Sequence, residues 1–251
     1  MYPVLLDLGG GLVIYSYSVF LALGYLAAYW VVSAEISRRR MDPELPSALL
    51  LACFIAGLAG AKILFLYQNA TLTEFLADPV RYFVSGYASV GGLVGIFCAV
   101  WIVSRLKKTD FQRLLDIVCP ALILGHGVGR IGCFLNGCDY GTVCSLPWAV
   151  SFSERVVSVH PTQIYDTLFM ALLFVFLWRI RTQNHPTGFV SAVGFVILGT
   201  QRFLIEFIRE TTPSFIGDLS QAQLAALLLV VVFGTRLFQL SGSVLGKQTQ
   251  N

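Results

Sequence analysis

Seven apolar stretches, each near the roughly 20 residues an α-helix needs to cross a hydrocarbon core, recur at 14–33, 46–67, 86–104, 113–129, 164–180, 187–207 and 219–238. Lipid offers the backbone no hydrogen-bond partners, so segments of this kind fold as helices. Of the 251 residues, 56% are hydrophobic and only 12% charged, about half the charge of a typical soluble domain. Nothing of useful size is left over for a soluble domain. The expected architecture is all-α and polytopic, with about seven transmembrane helices in a single integral membrane domain over 1–251. The one long connection lies on the outer side at about 130–163. Pro120 and the glycines after Leu124 predict that the fourth span is a broken helix lining a cavity.

Basic residues orient these spans. Eleven of the seventeen Lys and Arg (Arg38, Arg39, Arg40, Arg105, Lys107, Lys108, Arg113, Arg179, Arg181, Arg236 and Lys247) fall in alternate loops or after the last span, whereas the other loops hold Arg81, Arg130, Arg155 and Arg209. The positive-inside rule therefore places the amino terminus outside and the carboxyl terminus in the cytoplasm. The first 13 residues lack a basic leader and no small-residue cleavage site follows, so the first span reads as a retained helix. The net charge of +3 is accounted for by loops lying against anionic membrane lipids, and gives no reason to invoke nucleic acid.

The six cysteines divide into two groups. Cys53, Cys98 and Cys119 fall within apolar spans and read as small buried hydrophobes. Cys133, Cys138 and Cys144 follow the fourth span on the expected outer side, where a disulfide is permitted, and Cys138 with Cys144 is the pair to test. Their spacing matches no redox or zinc motif, so no metal is expected. The chain has no internal repeat of the inverted-transporter kind.

Charges inside apolar spans carry the functional argument. Arg202, Glu206 and Arg209 stand at i, i+4 and i+7 in QRFLIEFIRE, which places them on one helical face. A charge at the centre of a membrane helix costs about 2.5–3.5 kcal/mol on insertion scales, so such groups pair or line a polar cavity. An Arg202–Glu206 pair serving packing alone is the simpler alternative. A second group, HGVGRIGCFLNGCDYG at 126–141, combines four glycines in its first twelve residues with His126, Arg130, Asn136 and Asp139. Arg130 presents a planar fork suited to a phosphodiester, and Gly129 and Gly137 allow backbone N–H groups to approach it. The same glycines also fit close helix packing. A third group, VHPTQIYD at 159–166, gathers His160, Gln163 and Tyr165 at the opening of the fifth span, where Tyr165 is equally suited to interface anchoring.

Taken together, HGVGRIGCFLNG, HPTQIYD and RFLIEFIRE, in this order and topology, resemble the bacterial prolipoprotein diacylglyceryl transferases. SVGGLVG at 89–95 is similar to the family's paired-glycine segment, and Tyr17 falls where the family has a tyrosine. The resemblance covers nearly the whole chain. It implies a multi-pass protein of the bacterial plasma (inner) membrane that moves the diacylglyceryl group of phosphatidylglycerol to the lipobox cysteine of a prolipoprotein signal peptide. A thioether forms and glycerol phosphate leaves, with no cofactor. It also implies roles. Arg130 and Arg202 neutralise the departing phosphate, Glu206 orients Arg202, and His160 or His126 is left to accept a proton. Tyr17, His126, Gly129, Asn136, Gly137, Gln163, Tyr165 and Arg209 surround the lipid head.

Three positions depart from the family pattern. Val90 stands where a histidine precedes the paired glycines, Cys133 replaces the asparagine after GRIG, and Cys138 replaces the acid after NG, with Asp139 one place later. These changes keep two further readings open: a transferase with another acceptor, and a non-enzymatic lipid-binding or redox-responsive membrane protein.

Overall fold

The computed structural model describes residues 2–11, 13–152, 157–210 and 214–248; Arg155, one of the basic residues of the outer loop, lies outside them. A hairpin of β1 (Val4–Asp7) and β2 (Val13–Tyr15) leads into α1 (Ser16–Arg38), followed by α2 (Leu45–Asn69), the short α3 (Leu72–Ala77) and α4 (Pro79–Val84), and α5 (Ser89–Leu106). Next come α6 (Phe111–Asn136), α7 (Thr162–Ile180), α8 (Phe189–Ile205) with a 3₁₀ turn at Glu206–Ile208, a second hairpin of β3 (Ser214–Ile216) and β4 (Leu219–Ser220), and α9 (Gln221–Gln248). Seven of these helices are long and apolar enough to cross a membrane, in the order expected, and the chain is a polytopic helical membrane protein.

Two expectations change. The fourth span is one continuous helix from Phe111 to Asn136 despite Pro120. It is also the most enclosed of the seven, so neighbouring helices pack around the turn that the missing proline N–H leaves one hydrogen bond short. Cys98 is exposed on α5, whereas Cys53 and Cys119 are buried as expected.

The chain forms two compact units, Ser33–Leu115 and Met1–Val32 with Asp116–Asn251. In the first, α2 and α5 meet through glycine. A Cβ on Gly91 would run into the Gly60 carbonyl, and one on Gly95 into the Ala56 carbonyl, so the two backbones touch as in small-residue helix pairs. Lys62 of α2 is buried in the same unit, donating to the carbonyls of Tyr82 (3.1 Å), Ser85 (2.5 Å) and Gly86 (3.0 Å) and lying 4.0 Å from the Tyr87 ring centroid. Carbonyls and a ring thus replace the water its charge would otherwise need.

In the second unit α1 and α6 approach at Gly24 and Gly125, where a Cβ on Gly24 would stand 2.7 Å from the Gly125 carbonyl. Buried Asp116 of α6 caps α8 from 72 positions away in sequence, accepting from Gly188 N (2.7 Å), Ser191 N (2.8 Å) and Ser191 Oγ (2.8 Å). These are first-turn donors that a helix start leaves without intrahelical partners.

Gly91→Val should destabilise the protein by about 1–3 kcal/mol or more, because the added methyls meet backbone that cannot yield. Gly234→Ala, with open space at its Cβ, should not. Thermal unfolding in detergent compares the two.

Candidate active site

The polar residues of the three motifs lie in the unit formed by Met1–Val32 and Asp116–Asn251. On α6, His126, Gly129, Arg130, Cys133, Asn136 and the following Gly137 recur at helical spacing and share a face. Arg130 is the centre of this face. Its side chain is only 8% exposed; Nη1 donates to Asp139 Oδ2 at 2.7 Å, and Nε stands 2.8 Å from Asp166 Oδ2 on α7. Asp166 also accepts from Gln201 Nε2 of α8 at 2.7 Å. Asp139 has a second guanidinium, Arg209 Nη2, 2.8 Å from its Oδ1. Arg202 Nη2 lies 2.8 Å from Glu206 Oε2, whose other oxygen accepts from Ser220 Oγ at 3.2 Å. Three guanidiniums and three carboxylates therefore neutralise one another inside an apolar protein. Partial burial pushes the Asp139 carboxyl up, but Arg209 and Arg130 outweigh it and hold the group below the ordinary carboxylate range.

Local backbone puts Asp139 there. Helix α6 ends at Asn136 with Gly137 left-handed (φ +77°), the N–H of Gly137 bonding Phe134 O (3.2 Å) and that of Cys138 bonding Cys133 O (3.1 Å). This is a Schellman termination. Asp139 is left-handed too (φ +65°), a conformation that Asp tolerates better than most residues. Gly141 then forms a bridge with Arg209, where a Cβ would stand 2.5 Å from Ile208 O. Thr142 N bonds Ile208 O (2.8 Å), and His160 N bonds Thr142 O (3.0 Å). The first turn of α7 holds the same loop: Thr162 Oγ1 donates to Asp139 O (2.8 Å) and Gln163 Nε2 to Cys138 O (2.6 Å).

The expected site residues thus take different places. Gln163 is fully buried and acts as a brace. Tyr165 accepts from Trp148 Nε1 at 2.8 Å, and its hydroxyl is 3.3 Å from His160 Nδ1. Arg202 and Glu206 pair as the helical spacing requires, but Arg209 has left the helix. The 3₁₀ turn ends at Ile208 and Arg209 is extended (ψ 142°), so the loop bridge, and not a shared helical face, brings it to Asp139. His126 keeps an accessible ring although Arg130, Arg202 and Arg209 all act on it electrostatically. A Cβ on Gly129 would meet nothing within 4 Å. Both features show open space beside the charged cluster. Tyr17, at the start of α1, lies within electrostatic reach of Arg130, Cys133, Cys138 and Asp139. One residue escaped the sequence argument, and another was named without its role. Asp166 closes the quoted motif HPTQIYD and is an acid inside a membrane helix, which was itself the available signal. Asp139 was noted as a polar group, but its role as the bridge between two arginines depends on a turn no spacing rule describes.

Next to the cluster, Tyr165 and Phe169 of α7 and Val196, Ile197, Thr200, Gln201 and Leu204 of α8 line a mostly apolar groove of about 540 Å³. A charged cluster and an apolar groove thus adjoin, the pairing of surfaces an amphipathic ligand requires.

Residues 3–238 match the family model of the prolipoprotein diacylglyceryl transferases. The chain belongs to that family. It is 30% identical over 239 residues to the phosphatidylglycerol–prolipoprotein diacylglyceryl transferase of Clostridium tetani, covering 92% of this chain and 95% of that protein. Against the enzyme of the same name from Vibrio cholerae it is 32% identical over 242 residues (92% and 88%), and against that of Pseudoalteromonas atlantica 33% over 201 residues (77% and 71%). As a member of this family with seven membrane-spanning helices, it is a multi-pass protein of the bacterial inner membrane. At the positions where the family pattern has an asparagine and an acid, this transferase-family member carries Cys133 and Cys138. The Schellman turn brings Cys138 back over Cys133, its Sγ 3.7 Å from the Cys133 carbonyl oxygen, to which it can donate. The pair put forward for testing, Cys138 with Cys144, is not bonded in the structure; Cys138 lies against Cys133 instead because positions C3 and C″ of such a turn face each other.

Asp139 also makes a pH prediction. A carboxyl whose folded pKa lies below its unfolded value stabilises the fold above the ordinary carboxylate pKa of about 4, and that contribution is lost as pH falls through the folded value. Wild-type protein should lose thermal stability as pH falls below about 4. Asp139→Asn should start lower and show a shallower decline, read from melting curves across that range.

Proposed function

We propose that this chain transfers the diacylglyceryl group of phosphatidylglycerol to the lipobox cysteine thiol of a prolipoprotein, forming a thioether and releasing glycerol phosphate. The observation that carries the proposal is the cluster of Arg130, Arg202 and Arg209 beside the α7–α8 groove. The groove takes acyl chain and the guanidiniums take phosphate. Arg202 is the freest donor, 25% exposed and held by one carboxylate. Arg130 and Arg209 share Asp139, the least buried acid of the three. A phosphodiester entering the cluster replaces Asp139 on one or both guanidiniums, so the arginines never face low dielectric unpaired. As the glyceryl C–O bond breaks, negative charge grows on the phosphate oxygen, and donors already in place stabilise it without reorganising. Glu206 positions Arg202 and is itself fixed by Ser220. Asn136 and Tyr17 flank the head site from α6 and α1, with the amino terminus and residues 137–152 and 157–161 on the outer face.

Purified protein, phosphatidylglycerol labelled in its acyl chains and a lipobox peptide should give label on the peptide. Arg130→Ala and Arg202→Ala should each lower the rate by about 10²–10³-fold, the scale for removing one transition-state donor, while remaining membrane-inserted. Wild-type protein that folds but labels no peptide would move the assignment to another acceptor, and full activity in either variant would sink the site.

A further inference from the structure

Gln201 of α8 belongs to two surfaces at once. Its side chain lines the apolar groove with Phe169, Val196, Ile197 and Leu204, and its Nε2 donates to Asp166 Oδ1 at 2.7 Å. The other oxygen of that carboxylate, Oδ2, lies 2.8 Å from Arg130 Nε. Groove wall, amide, carboxylate and guanidinium therefore touch in sequence across α8, α7 and α6.

Chemistry fixes which way the amide points. Asp166, paired with a guanidinium, offers only lone pairs, so Gln201 must turn its nitrogen to it and its oxygen away. That oxygen is buried and has no hydrogen-bond partner among the described residues. A buried acceptor without a donor is destabilising, and an aliphatic side chain would line an apolar groove without that penalty. What the amide adds is its bond to Asp166. Asp166 is itself 2% exposed and divides its oxygens between Gln201 and Arg130, so the amide sets the rotation of the carboxylate and the carboxylate sets the plane of the guanidinium. Held at Nε, Arg130 turns Nη1 to Asp139, the place a phosphate takes over in the proposed function.

We infer that Gln201 is a positioning residue of the transferase: an acyl chain in the groove packs on its side chain, and through Asp166 the amide fixes the Arg130 guanidinium for the departing phosphate. The inference rests on the transferase assignment above. It gives the groove a part in the rate as well as in binding. Contacts to a non-reacting portion of a substrate raise kcat when they orient groups at the reacting centre, and an amide placed between groove and guanidinium transmits such a contact. A chain too short to pack on Gln201 leaves the amide, and with it the Asp166 carboxylate, room to turn.

The labelled-lipid assay on full-length protein tests this with two variants and two lipids, phosphatidylglycerol carrying either two palmitoyl or two hexanoyl chains in mixed micelles. Gln201→Met keeps the length of the side chain and removes the donor. It should lower kcat for the palmitoyl lipid by about 10-fold or more, the scale of a misplaced catalytic group, with KM little changed. At saturation the wild type should turn over the hexanoyl lipid several-fold more slowly than the palmitoyl lipid, whereas Gln201→Met should turn over both at the same kcat. Gln201→Glu sets a second carboxyl against Asp166, where the two titrate together; once protonated it donates as the amide does. Its kcat should therefore recover toward the wild-type value as pH falls below neutral, which a mere wall residue would not show. Wild-type kcat in Gln201→Met, a change confined to KM, or a chain-length effect on kcat that survives the substitution overturns the inference and leaves the transferase assignment standing. If Gln201→Met does not fold, the pH profile of Gln201→Glu decides, and no recovery below neutral pH overturns the inference. Folded wild-type protein that transfers no label overturns that assignment, and this inference with it.

Discussion

A guanidinium in an apolar protein must have partners, and around Arg130 that requirement organises the site. Removing one partner of a buried pair costs about 3–5 kcal/mol, because a charge is then left without compensation. Arg130 meets the requirement twice, through Asp139 in a loop and Asp166 on a helix. Each carboxylate recruits another group in turn, Arg209 and Gln201. The loop after α6, the start of α7 and the end of α8 are thereby held by charges that would be penalised anywhere else in the chain. The glycine at 141, the two left-handed residues before it and the Thr162 and Gln163 bonds all serve to put one carboxylate within reach of two arginines.

The self-neutral cluster also explains how such a site persists without substrate. Three guanidiniums gathered for a phosphate would repel one another in low dielectric. Here each has a carboxylate, and the most exposed of those carboxylates is the one shared by two arginines. In the proposed function a phosphate would compete with a partner already present and not fill an empty positive hole, which would moderate affinity while the donors stay aimed. Moderate ground-state binding combined with fixed donors favours rate over tight binding.

What was legible in the sequence followed from lipid being a poor solvent for peptide groups. Helix number and order came from apolar runs, and the Arg202–Glu206 pair from helical spacing. Elsewhere tertiary structure decided. Pro120 sits within an unbroken α6 because packing overrides local propensity. Arg209 follows strand-like pairing with Gly141 and not the helical period, and periodicity says nothing about where a helix stops. The glycines resisted a single reading for a related reason. Gly91 and Gly95 are packing contacts, Gly129 borders open space, and Gly137 is a cap, yet all look alike in a one-dimensional pattern. The contact of Cys133 with Cys138 was likewise hidden, although a glycine one residue past a helix end implies that positions C3 and C″ meet.

Asp116 carries a consequence for the opposite end of α8. By binding Gly188 and Ser191 it sets where that helix begins, and each residue of a helix turns about 100° from the last. Arg202 lies eleven residues beyond Ser191, roughly 16 Å along the axis. A start displaced by one residue would swing its guanidinium through more than a quarter turn, away from the charged cluster. One carboxylate at the far end of the helix thus acts as a rotational stop for a charge it never touches.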